Sequence, residues 1–167
     1  MNIMKKNMFL SLATALMCVC SLCVTACNDE DDKDMTKPTI SRNTDTDNPI
    51  SCQVYHRGEV IPFRYTFSDN VELGNFNIEI HSNHDHHTHS TEAVECEEEE
   101  EHEQGTPVNP WVYNQSFNIP AGSLTFAASV DITIPSDIDT GDYHFMIRVT
   151  DKAGWQEIKS VAIEIEE

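Results

Sequence analysis

From Ser51 onward the apolar residues of this chain fall at every second position in short runs, with turn residues between the runs. Extended backbone turns successive side chains to opposite faces, so a period of two marks a half-buried strand. Seven segments carry that period: Ser51 to His56, Val60 to Phe67, Asn75 to His81, Val112 to Ile119, Leu124 to Ile134, Tyr143 to Thr150 and Gln156 to Glu164. No stretch reads convincingly as a helix. Pro38, Pro49, Pro107, Pro110, Pro120 and Pro135 lie at or near segment ends, where a missing amide hydrogen removes no ladder bond. Pro62 lies inside a segment and predicts an edge or a bulge there. The pattern predicts an all-β domain whose sheets bury their apolar faces against each other.

The stretch Ile134-Pro135-Ser136-Asp137-Ile138-Asp139-Thr140-Gly141-Asp142-Tyr143 leads into the sixth segment. It has the make-up of a sandwich corner in which a tyrosine near the strand start turns its hydroxyl back onto the preceding loop. With seven strands at regular spacing, this predicts an antiparallel β-sandwich of immunoglobulin-like type. Tyr143, Phe145, Ile147 and Val149 are expected to face inward, and His144, Met146, Arg148 and Thr150 outward. Asp151-Lys152-Ala153-Gly154 reads as the hairpin turn into Trp155 and the last strand. Residues 38–167 suffice for one such domain and not for two.

The densest chemical signal begins where the third segment ends. His81-Ser82-Asn83-His84-Asp85-His86-His87-Thr88-His89 places five imidazoles and one carboxylate within nine residues. Neutral imidazole offers a lone pair at physiological pH, and a strand end fixes it better than a free loop does. In an immunoglobulin-like sandwich the third and sixth strands are antiparallel neighbours, so His81 and His144 are expected to meet on the outer face, with Cβ atoms about 4.5–5.5 Å apart if directly opposed. The candidate metal ligands are His81, His84, Asp85, His86, His89 and His144, with Asp85 either a direct ligand or a group that orients an imidazole. Three or four nitrogens suit Zn(II) or Cu(II) and disfavour an oxygen-only shell. Met146, on the face of His144, keeps copper open, and Glu164 could approach from the last strand. On its own the loop also reads as a polar low-complexity segment that chelates opportunistically; the separate placement of His144 favours a specific site. No nucleophile or base arrangement accompanies these residues, so no enzyme is expected. A weaker reading has Asp45, Asp47 and Asp69 binding calcium near one end of the sandwich.

The N-terminal residues bear on location. Lys5 and Lys6 precede an apolar stretch from Met8 to Val24, too short and too one-sidedly flanked for an ordinary transmembrane helix, and residues 1–26 read as a secretory signal. Val24-Thr25-Ala26-Cys27 resembles the bacterial lipobox, in which the cysteine is lipidated and becomes the mature N-terminus. Acyl chains on Cys27 would hold the domain at a membrane surface. Residues 27–37 form an acidic tether, and Asn28-Asp29-Glu30-Asp31-Asp32-Lys33-Asp34 resembles the export signal of surface-displayed lipoproteins of the Bacteroidetes. The expected place is the bacterial outer membrane, exposed at the surface, with attachment facing the periplasm as the alternative.

Ten basic residues stand against 29 acidic ones, and loss of Lys5 and Lys6 with the signal widens the imbalance. Such a surface gathers cations and repels nucleic acid and anionic headgroups, which excludes a nucleic-acid partner. Part of that charge lies in a His/Glu-rich insert at 82–110, where Glu97 to Glu101 is unbroken and reads as solvated. Cys18, Cys20 and Cys23 leave with the signal and Cys27 is taken by lipid. Cys52 and Cys96 then remain, to pair as a disulfide, to stay free, or to leave Cys96 as a soft ligand beside the histidines.

Together the lipobox, the tether, Phe67-Ser68-Asp69-Asn70 with Leu73, the strand end Ile78-Glu79-Ile80-His81 with its His-rich loop, and Gly141-Asp142-Tyr143-His144-Phe145 resemble an uncharacterised Bacteroidetes lipoprotein family, domain of unknown function 4625. The resemblance implies a lipid-anchored immunoglobulin-like domain and assigns no activity. The residues themselves suggest capture, buffering or delivery of a divalent transition metal at the cell envelope. The alternative is a non-catalytic structural or adhesive module that contacts protein or glycan, with incidental chelation.

Overall fold

Alternation produces strands wherever it was read. The computed structural model describes residues 33–83 and 106–167, and every regular element among them is a strand. In chain order these are β1 (Thr39–Ser41), β2 (Gln53–His56), β3 (Val60–Ser68), β4 (Leu73–Ser82), β5 (Val112–Asn118), β6 (Thr125–Thr133), β7 (Gly141–Asp151) and β8 (Gln156–Glu166). All seven expected segments are present, with ends moved by a few residues. The eighth strand is β1, whose three residues are too few to show a period. The signal peptide 1–26, Cys27, most of the tether and most of the insert lie outside the described residues.

Two sheets form, ordered β1-β3-β6 and β2-β8-β7-β4-β5. The chain crosses from the first to the second between β1 and β2. Its ladders are antiparallel except that β2 runs parallel to β8, with Val54 opposite Glu164. Pro62 lies where β3 is an edge. The amide of Arg64, two residues on, donates to Asn48 O at 2.9 Å, away from β6. The Pro62 nitrogen faces that same flank, and β1 covers only Thr66 to Ser68 there.

Facing sides of the two sheets meet in an aromatic core. Phe63 of β3 stacks on Phe76 of β4 at 6.1 Å and on Phe145 of β7 at 5.8 Å, so a single ring joins three strands across the interface. Truncating such a ring to alanine costs about 3–5 kcal/mol through lost burial and the cavity left behind. Ile78, Ile80, Ile147, Val149, Ile163 and Ile165 fill the rest of the inner face of the larger sheet.

The corner before β7 forms as expected. Tyr143 is buried; its hydroxyl donates to Asp139 O at 2.8 Å and accepts from the Trp111 amide at 3.2 Å. Burial raises the pKa of this phenol, and the Trp111 amide bond opposes the rise. At the other end of β7, Asp151 Oδ1 accepts from the amides of Gly154 and Trp155, and Gly154 takes the positive φ of 96° that closes the hairpin.

Candidate metal centre

β4 and β7 are antiparallel neighbours, and their register sets His81 directly opposite His144. Ile80 and Phe145, the adjacent pair, are buried in the core. Alternation therefore turns both imidazoles to the outer face, as the pattern along each strand predicted. Their ring centroids lie 5.6 Å apart with planes inclined at 55°. Two imidazole nitrogens about 2.0–2.1 Å from one tetrahedral zinc would put their ring centres roughly 5 Å apart, so the pair needs little adjustment to share an ion.

The neighbouring pairs on this face are Glu79 with Met146, and Asn77 with Arg148. Glu79 Oε1 lies 3.3 Å from His81 Nδ1. A carboxylate beside Nδ1 favours the proton on that nitrogen and leaves the Nε2 lone pair for a ligand role. This contribution of Glu79 was not anticipated, although its place two residues before His81 on the same strand face is readable. His144 departs from expectation in another way. It faces outward yet is only 4% exposed, and the His81 side chain 19%. Shielded donors keep an ion from bulk water and strengthen each electrostatic contact made to it.

The other expected participants fall as follows. Met146 shares the face of His144, one pair along. Glu164 lies opposite Asp142 on β8, while His144 faces Ala162, so Glu164 sits one row beyond the histidine pair. His56, which is outside the expected ligand set, ends β2 beside Glu166, on the far edge strand of the sheet. His84, Asp85, His86 and His89 lie outside the described residues, as do Cys27, Cys96 and His102. Cys52 takes part in a disulfide. All the other cysteines lie outside the described residues.

The aspartates named for calcium are not used together. Asp47 is occupied in its own loop, where its carboxylate accepts from the Asn43 amide and from the amide and hydroxyl of Thr44. Asp69 instead groups with Asp34 and Asp151. In the sequence Asp34 reads as part of the tether and Asp151 as part of a hairpin turn, neither as a ligand. Among the described residues this acidic trio is the one set of three His, Cys, Asp or Glu donors within 4.8 Å of one another, so no third such donor there joins both His81 and His144 at that range.

The chain belongs to the family described as Domain of unknown function (DUF4625), whose model matches residues 25–166. No protein of curated function matches it. Among solved structures it is similar to the crystal structure of Spo0M, a sporulation control protein from Bacillus subtilis, with a TM-score of 0.39 and 14% identity over 78% of this chain. The match covers 49% of Spo0M, so this chain spans about half of that protein's length.

Proposed function

We propose that this DUF4625 domain binds a divalent transition metal, Zn(II) or Cu(II), as a lipid-anchored protein of the cell envelope that captures, buffers or delivers the ion. The observation that carries the reading is the direct opposition of His81 and His144 across β4 and β7. Two nitrogens held by neighbouring strands form a rigid half-shell. Third and fourth ligands would come from His84, Asp85, His86 or His89, which follow β4 in the chain by a few residues. Nitrogen-rich shells select Zn(II) or Cu(II) over hard cations, and Met146 on the same face favours copper where a soft axial donor is wanted. Glu79 would orient His81 from its second nitrogen. The arrangement suits holding an ion and calls for no substrate step, so the role is binding, not catalysis.

The anchor belongs to the same reading. Cys27 after a lipobox-like tripeptide would carry the lipid, and the acidic tether would set the domain off the outer membrane, exposed at the surface. The test is calorimetric titration of the tag-free mature protein with Zn(II) and Cu(II). The parent is expected to bind one ion tightly, and His81→Ala or His144→Ala to weaken it by at least about tenfold. Parent-like binding by both variants would leave a structural or adhesive module contacting protein or glycan, with a loop that chelates incidentally.

A further inference from the structure

A second group of side chains has the make-up of an ion site, at the opposite end of β4 and β7. Asp34 lies ahead of β1, Asp69 follows β3 and Asp151 closes β7, and one carboxylate oxygen from each lies within 4.8 Å of the other two. The turns that carry Asp69 and Asp151 each use a single oxygen. Asp69 Oδ1 accepts from the amides of Val71 and Glu72 at 2.9 and 2.8 Å, and Asp151 Oδ1 from those of Gly154 and Trp155 at 2.6 and 2.8 Å.

The remaining oxygens, Asp69 Oδ2 and Asp151 Oδ2, are buried and accept no hydrogen bond. Asp151 as a whole is 4% exposed. Buried carboxylate oxygens without a donor are costly, and three carboxylates this close repel one another. No Lys or Arg among the described residues forms an ion pair with any of the three. A bound cation would relieve both costs at once.

We propose that Asp34, Asp69 and Asp151 form a Ca2+ site that fastens the segment entering β1 onto this end of the sandwich. Oxygen-only donors select a hard cation. Ca2+ takes oxygens at about 2.3–2.6 Å in irregular shells, so two of its ligand oxygens can stand roughly 5 Å apart. Mg2+ holds them nearer, at about 2.0–2.1 Å, and demands regular octahedral geometry. Three acidic side chains brought together from separate turns make an irregular oxygen shell, which suits the larger ion.

Asp34 already touches both turns. Its backbone oxygen accepts from the Trp155 indole at 2.9 Å, and its Oδ1 accepts from the Asn70 side chain at 3.1 Å. Gly74 permits the approach of the β3–β4 turn to Asp151. A Cβ there would lie 2.8 Å from Thr150 O and 2.9 Å from Asp151 O, where the β4–β7 register shifts. The site is independent of the histidine pair, because Asp151 and His144 lie seven residues apart on one strand, roughly 23 Å.

The test uses the full mature chain, tag-free and stripped of metal by a chelator, titrated with CaCl2 and separately with MgCl2. One Ca2+ per chain is expected to bind and raise the melting temperature. It should also change tryptophan fluorescence, a change that Trp155→Phe removes. Asp69→Asn and Asp151→Asn keep the oxygen that accepts from the turn. Each should weaken Ca2+ binding by at least about tenfold, since even groups behind a metal's ligands cost that much, while melting no lower than the parent when ion-free. Asp45→Asn and His81→Ala should bind Ca2+ as the parent does. Absence of saturable Ca2+ binding, parent-like binding by both Asn variants, or an equal response to Mg2+ would overturn the proposal. Loss of the Ca2+ response in His81→Ala would overturn its independence from the histidine pair.

Discussion

His81 and His144 stand directly opposite each other on β4 and β7, with ring centroids 5.6 Å apart. Strand neighbours that ligate one ion lose their contributions together. The double variant His81→Ala/His144→Ala should therefore bind Zn(II) little worse than the poorer single variant, whereas independent sites would show additive losses. His56→Ala, on the far edge strand, should bind as the parent does.

The same site should lose affinity as the pH falls from about 7 to 5. Protons compete for imidazole lone pairs whose ordinary pKa is about 6.5, and a protonated ring has none to offer. Calorimetry at both pH values checks this. Equal affinity at the two would point to carboxylate ligands.

Tyr143→Phe removes the acceptor for the Trp111 amide and the donor to Asp139 O in a single step. Because the Trp111 amide would be left buried without a partner, the cost should be roughly 1–3 kcal/mol. Denaturant unfolding with an unchanged slope and a lower midpoint is the expected result.

The carboxyl of Asp47 is held below its ordinary pKa of 3.8, first by the Thr44 hydroxyl and next by the Asn43 amide. A depressed folded-state value means stability that is complete above about pH 4 and is lost as the pH falls through that lower value. Asp47→Asn should thus melt lower than the parent at pH 6, and the difference should shrink below pH 4. Melting curves across pH 2–6 test the sign.

Cys27→Ser should abolish lipid labelling and release the protein from the membrane fraction. Labelling like that of the wild type would remove the anchor from the functional reading and leave the metal site untouched.

Peptide mapping of the unreduced mature protein should recover Cys52 linked to Cys96. Cys52 is disulfide-bonded, and with the signal removed and Cys27 lipidated, as proposed, Cys96 would be the cysteine left to it. A free Cys96 thiol would make it available to the His-rich loop instead.

Much of this was legible in the chain. A period of two over seven segments determined the strands, and with them which residues of β4 and β7 face inward, because side-chain direction in a strand depends on parity alone. The corner at Tyr143 was legible because its proline, aspartates and glycine lie within a few residues of the tyrosine they serve. The opposition of His81 and His144 followed from those parities plus one rule of topology, that the third and sixth strands of such a sandwich are neighbours.

Other features needed the folded chain. The three residues of β1 carry no period, and the parallel pairing of β2 with β8 depends on where the crossing between sheets ends. The depth of His144, outward yet 4% exposed, is set by what lies around it and not by its place in the alternation. The sequence points to Asp45, Asp47 and Asp69 for calcium, but Asp47 caps its own loop, and Asp69 meets Asp34 and Asp151 from distant parts of the chain. Periodicity and turn chemistry are local, so the sequence by itself determined the strands, their faces and the corner. Which turns share one end of the sandwich depends on register and on packing around Phe63, Phe76 and Phe145, and only the tertiary structure decided that.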